Sequence, residues 1–212
     1  MIRTPIAILL AAALASVAAA VAGAPPLRAQ GDGPNLPEVR PVMLDPSTTA
    51  LLVLDLSTRC DDPQQICREL VPRIRDFLPR VRGANVFTVF VVSASARGTP
   101  LGETWGGFAR RPDEPVIYPD GYDKFVDGEL HSLLQERGIA TVMITGSSSN
   151  ISVLYTATTA ARVHSYKVVI PVDGMNAARS YEHEYTLHQL ASLGVSTNFT
   201  FTTLDMVEFA RS

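Results

Sequence analysis

Four stretches of this chain are almost continuously apolar: "TALLVLDL" from Thr49, "NVFTVFVVS" from Asn85, "IATVMITG" from Ile139 and "YKVVIPVD" from Tyr166. A strand with one face in water alternates apolar and polar side chains, whereas a run without alternation is covered on both faces. Between these runs the apolar residues change period. In "ICRELVPRIRDFLPRVRG", Ile66, Leu70, Ile74, Phe77, Leu78 and Val81 recur at helical spacing and stop at Gly83. Pro72 and Pro79 are expected to delimit or kink that helix. Further helices are predicted in "VDGELHSLLQERG", through "SVLYTATTAARVHS" and from about Ala177 to Leu193. A last strand, "STNFTFTT", leads into a terminal helical turn, and "PVIY" reads as a short extra strand. Doubly covered strands alternating with helices predict a three-layer α/β/α domain on a doubly wound, mainly parallel sheet.

A chain of 212 residues suits one such domain, and 46% hydrophobic with 18% charged residues is a globular composition rather than a disordered one. A net charge of -3, with basic residues scattered in short pairs such as Arg110-Arg111, provides no footprint for nucleic acid. The N-terminus is different in kind. Arg3 precedes an apolar run from Ile6 to Ala22 that ends in the small residues "AVA", the layout of a secretory signal peptide. An uncleaved membrane anchor is the alternative, since the run approaches spanning length. Its alanine content and the following "APPLRAQGDGPNLPEVRP" favour cleavage near residue 24, and so an exported, periplasmic or secreted protein with no other membrane association. Residues 25–43, rich in Pro and Gly, read as a flexible linker, and 44–212 as the folded domain. Cys60 and Cys67, in "STRCDDPQQICREL", are near enough in sequence to form a disulfide in such a compartment; two unpaired thiols are the other reading.

In doubly wound sheets the working crevice lies beyond the carboxyl ends of the strands, where the winding direction reverses. That rule selects Asp55 after the first run, Ser93 onward after the second, the polar knot from Gly146 to Ser152 after the third, and Asp173 with Gly174 after the fourth. A carboxylate at the end of a buried strand must be solvated, paired or at work. Asp55 is therefore read as a cap or an arginine's partner, or else as a general acid–base. Lys124, between Tyr122 and Phe125 in "GYDKF", is either a surface charge or an inward partner for an acidic site. It closes a connection, Ala94 to Phe125, whose length is typical of a functional loop. Ser147 to Asn150 suit helix capping, and their backbone N–H groups suit an anion or oxyanion equally well. The spacings of a phosphate loop, a nucleophile elbow and an HExxH zinc helix are all missing. His183 and His188 in "EHEYTLH" stand at the wrong spacing, so neither metal nor cofactor is assigned.

Taken together, "TALLVLDLSTRC", "DKFVDGELHSLLQERGIATVMITGSSSNISVLYTATTAA" and "YKVVIPVDGMNA" resemble the isochorismatase-like hydrolases, also called cysteine hydrolases. The resemblance runs from roughly Leu44 to Leu204. It implies a Rossmann-like three-layer fold, hydrolysis of amide or related bonds in a small-molecule substrate, an Asp–Lys–Cys triad and frequent homo-oligomers. Asp55 matches the family's aspartate, and Lys124 is the candidate for its lysine. The family's nucleophilic cysteine stands six residues after the turn glycine; six residues after Gly146 this chain has Ser152. The Asp-x-His metal pattern of the nicotinamidase branch is missing from "VVSASARG", which argues against a zinc-assisted amidase. The resemblance also offers Asn150 and Ile151 as substrate-binding residues, with the N–H groups of Ile151 and Ser152 as oxyanion donors. Trp105, Phe108 and Tyr122 either wall the pocket or pack the long loop onto its own domain. A hydroxyl is far less acidic than a thiol and needs a well-aligned base. Three readings follow: a hydrolase with Ser152 as nucleophile, a hydrolase in which Asp55 protonates substrate or activates water, and a small-molecule-binding pseudoenzyme.

Overall fold

The structure, a computed structural model, describes residues 35–211; the expected leader and the linker up to residue 34 lie outside the described residues. A short strand, β1 (Val42–Leu44), precedes the first buried run, β2 (Thr49–Leu54). Helix α1 (Val71–Gly83) leads to β3 (Phe87–Val91), and the long connection carries β4 (Val116–Ile117) before helix α2 (Glu129–Gln135). Then follow β5 (Thr141–Ser147), α3 (Leu154–Arg162), β6 (Lys167–Pro171), β7 (Met175–Asn176), α4 (Ser180–Ser192), β8 (Phe199–Thr202) and β9 (Val207–Phe209). The main sheet runs β4-β3-β2-β5-β6-β8, with β7 added beyond β6 at the end of β5, and all of its pairings are parallel.

The two-residue period of a strand explains the layers. Ala50, Leu52 and Leu54 of β2, with Val142 and Ile144 of β5, join an apolar layer that includes Leu130, Ala157 and Leu187 from α2, α3 and α4. Leu51, Val53 and Met143 point the other way, into a layer with Ile74, Phe77 and Val81 of α1. Both faces of the central strands are thus dry, as their unbroken apolar sequence requires.

From β2 the chain steps outward to β3 and β4, then returns to the other side of β2 as β5 and steps outward again. The winding therefore reverses between β2 and β5. Their ends approach closely: Gly146 pairs with Leu54, has φ +137°, and a Cβ on it would lie 2.2 Å from the Leu54 carbonyl oxygen. Any larger residue would push the ends of β2 and β5 apart.

Several local features differ from the periodicity-based expectation. The first helix starts at Val71 rather than Ile66, because Ile66–Glu69 forms a separate 3-10 turn around the disulfide-bonded Cys67. Pro72 lies in the first turn, while Pro79 sits inside the helix without ending it. The fourth helix starts at Ser180 rather than about Ala177, since Met175 and Asn176 are drawn into the sheet as β7. Val42 and Met43, inside the stretch read as linker, belong to β1, which pairs in parallel with β9, and Arg40 N–H donates to Phe201 O at 3.0 Å. No helix among the described residues is long and apolar enough to cross a membrane.

Candidate active site

Asp55 follows β2 directly. Its N–H still donates to Val91 O at 2.7 Å, which extends the ladder to β3, but its φ of +55° turns the side chain out of the sheet. A non-glycine residue in that region stores strain of about 1–3 kcal/mol and persists only where the surroundings hold it. They do so here through two donors. Lys124 Nζ lies 3.0 Å from Asp55 Oδ2 and 3.2 Å from Oδ1, and Ser152 Oγ donates to Oδ2 at 2.5 Å.

Each donor is delivered by a different element. Lys124 is 1% exposed, with Nζ also donating to Gly121 O at 3.3 Å and its backbone N–H to Thr156 Oγ1 of α3 at 3.1 Å. Asp123, beside it, accepts from Thr159 Oγ1 at 2.6 Å, so the end of the long loop is riveted to α3 at two points. Ser152 lies in the π-helical turn Ser149–Val153 between β5 and α3, where Val153 N–H reaches back to Ser148 O at 3.3 Å. Such turns widen the helix entry and recur at functional sites. The preceding Ser147–Ser148 peptide is cis. A buried ammonium and carboxylate are tolerated together because each neutralises the other and the remaining hydrogen-bonding capacity is used.

The trio borders a hollow of about 270 Å³ whose walls include Arg59, Ser93, Tyr122, Ser147 and Ile151. A neighbouring hollow of about 510 Å³ shares Asp55, Arg59 and Ser93 and runs along the long loop to Leu101. Of the residues singled out by sequence, Asp55, Lys124, Ser152, Tyr122 and Ile151 thus come together. The Ile151 N–H, offered as an oxyanion donor, is already bonded to Ser148 O at 3.2 Å. Asn150, in the same turn, does not line either hollow.

Trp105 and Phe108 are elsewhere. Phe108 is buried against Phe90, their ring centroids 5.7 Å apart, and Trp105 meets Phe108 edge-on at 5.2 Å while its Nε1 donates to Asp61 Oδ1 at 2.8 Å. They pack the long loop onto α1 and the Cys60–Cys67 loop, which is the packing alternative of the two the sequence left open. His183 and His188 lie on α4, and no group of three or more metal-ligating side chains occurs among the described residues.

Sequence reasoning did not find Arg59, Gln65 and Ile66, which wall the smaller hollow. Gln65 and Ile66 ride on the loop closed by the Cys60–Cys67 disulfide, whose Cα atoms are 5.3 Å apart, and Arg59 stands directly before Cys60. The signal was present: a short disulfide-closed loop immediately after the strand that carries Asp55 has to sit on the rim of the crevice.

The family model described as "Isochorismatase domain" matches residues 49–200. An isochorismatase-like hydrolase from Alkaliphilus metalliredigens superposes with a TM-score of 0.66 at 26% identity, covering 74% of this chain and 95% of that one. The nicotinamidase of Staphylococcus aureus superposes with a TM-score of 0.60 at 28% identity, covering 74% and 98%. A cysteine hydrolase from Pseudomonas syringae pv. phaseolicola, at 18% identity and a TM-score of 0.67, covers 81% and 95% and bears on the fold alone. Among curated protein sequences none is significantly similar.

Proposed function

Because the chain belongs to the isochorismatase family, we propose that it hydrolyses an amide, ester or vinyl-ether bond in a small molecule by acid–base chemistry centred on Asp55. Ser152 occupies the seat of the family's thiol. The observation that carries this reading is the convergence of Ser152 Oγ and Lys124 Nζ on one buried carboxylate at the switch point of the sheet. A carboxylate is a weak base and a hydroxyl a poor nucleophile without a stronger one. In this reading Ser152 orients Asp55 and the attacking water rather than attacking itself. For an amide or ester, Asp55 takes a proton from water as its oxygen bonds to the carbonyl carbon. It then returns that proton to the departing nitrogen or oxygen, leaving a carboxylic acid and an amine or alcohol. For a vinyl ether, protonation of the alkene carbon and addition of the same water would yield a carbonyl compound and an alcohol. Lys124 holds the charge balance in both cases.

A second reading, a binding protein that has lost its chemistry, is favoured by one fact. The chain's two cysteines are bonded to each other, so it has no thiol for covalent catalysis. A panel of small amides, esters and vinyl ethers separates the two. Turnover of one class, reduced about 10²–10⁴-fold in Asp55→Asn, supports the hydrolase. No turnover by any variant, with a ligand that raises the melting temperature, supports the binding protein.

The reading includes export. Its support is the leader pattern from Arg3 to Ala22 and the Cys60–Cys67 disulfide, a bond that persists in oxidising compartments.

A further inference from the structure

The walls of the crevice carry a net charge. The charged side chains lining the two hollows are Asp55, Lys124 and Arg59. Asp55 and Lys124 are paired at 3.0 Å, so Arg59, which borders both hollows, leaves one positive charge uncompensated. Its guanidinium enters no ion pair or side-chain hydrogen bond among the described residues, whereas Arg68, directly after Cys67, donates to Asp61 O at 2.6 Å. The two acids that follow it in sequence, Asp61 and Asp62, line neither hollow and hold other donors. Asp61 Oδ1 accepts from Trp105 Nε1 at 2.8 Å, and Asp62 Oδ1 accepts from Gln64 N–H at 2.8 Å.

An independent observation comes from another residue of the wall. Ser147 is 2% exposed, lines the smaller hollow, and its Oγ has no hydrogen-bond partner among the described residues. A buried hydroxyl left without a partner is costly, so such groups are normally satisfied by something.

The segment that carries Arg59 is also held in place. Thr58 N–H donates to Glu103 O at 2.9 Å and Thr58 Oγ1 to Pro100 O at 2.6 Å. On the other side of the loop, Asn176 Nδ2 donates to Ile66 O at 2.6 Å, and the disulfide closes the ring. A guanidinium on a fixed backbone is a pre-organised fork for a planar anion.

We propose that this is a carboxylate subsite: the substrate carries one carboxylate, held by Arg59 with Ser147 Oγ as a second donor, and its reacting bond lies towards Asp55. The inference rests on reading the crevice as the substrate site, and names the substrate class. A single fork with a hydroxyl suits a planar monoanion better than a phosphate dianion.

Isothermal titration with succinamate, glutaramate and benzoate, each against its neutral amide, and with inorganic phosphate, tests it. At least one carboxylate is expected to bind tenfold or more tightly than its neutral amide. Arg59→Gln should remove that preference by weakening the acid far more than its amide, Arg59→Lys should restore part of it, and Ser147→Ala should weaken it several-fold. Equal binding of every acid and its amide, tighter binding of phosphate than of any carboxylate, or a preference that survives Arg59→Gln would overturn the proposal. The outcome is separable from the hydrolase reading. Carboxylate binding that depends on Arg59 without any turnover keeps the subsite and removes the enzyme. Turnover whose acid-to-amide preference ignores Arg59 keeps the enzyme and removes the subsite.

Discussion

Asp55 takes hydrogen bonds from a hydroxyl and an ammonium through one carboxylate, and that arrangement sets what substitutions should do. Lys124→Met leaves a buried carboxylate with only Ser152 as its donor. The loss of a buried pair's partner costs about 3–5 kcal/mol, so chemical denaturation should show a drop of that size. Adding Asp55→Asn to Lys124→Met should recover part of the loss, which a double-mutant cycle would read as coupling. How far this was legible depends on the residue. Asp55 announced itself, because a charge ending a buried run must be dealt with somehow. Lys124 did not, since a lysine beside aromatics reads equally well as a surface charge. Its inward course is set by the Thr156 and Asp55 contacts, which join segments far apart in sequence. Arg59 was hidden for a similar reason: only the folded loop brings it to the cavity wall.

Elements position these residues, and two of them can be tested directly. Gly146→Ala would place a methyl group 2.2 Å from Leu54 O at a φ of +137°. Separation of β2 from β5 should follow, with a stability loss of about 2 kcal/mol or more and disruption at both Asp55 and Ser152. The Cys60–Cys67 loop is the second. Cys60→Ser with Cys67→Ser should cost about 2–3 kcal/mol in denaturant unfolding, the loop-closure value for so short a ring. It should also raise KM more than it lowers kcat, because the loop walls the cavity without contributing to the Asp55 trio. The strands that reach across the sheet were readable as apolar runs. The ones missed, β1, β7 and β9, are each two or three residues long, and no periodicity survives over that length. Tertiary pairing alone makes them strands.

Across the whole molecule, acid should weaken the fold through its histidines. Burial holds His164 below the ordinary value of 6.5, and His131, stacked on it at 3.9 Å, adds to the depression. Asp123 opposes both effects. His183 is also depressed, chiefly by burial and against the pull of Glu184. A histidine whose folded pKa lies below its unfolded one takes up protons more readily in the unfolded chain. Its contribution to stability is intact above about pH 6.5 and is lost as pH falls from there towards the folded value. The melting temperature should therefore hold between pH 8 and 7 and decline between pH 6.5 and 5.5, with a shallower decline in His164→Phe. Export makes its own prediction: the full-length chain, expressed in a bacterium, should appear in the periplasm or medium, with a mature mass that marks cleavage near residue 24.

In the proposed mechanism Asp55, and not Ser152, carries the chemistry. Once a substrate is found in the panel, kcat/KM for wild type, Ser152→Ala and Asp55→Asn tests it most directly. Ser152→Ala is expected to stay within about tenfold of wild type while Asp55→Asn falls about 10²–10⁴-fold. Abolition of turnover in Ser152→Ala, with an acyl adduct on Ser152 in the wild type, would contradict it.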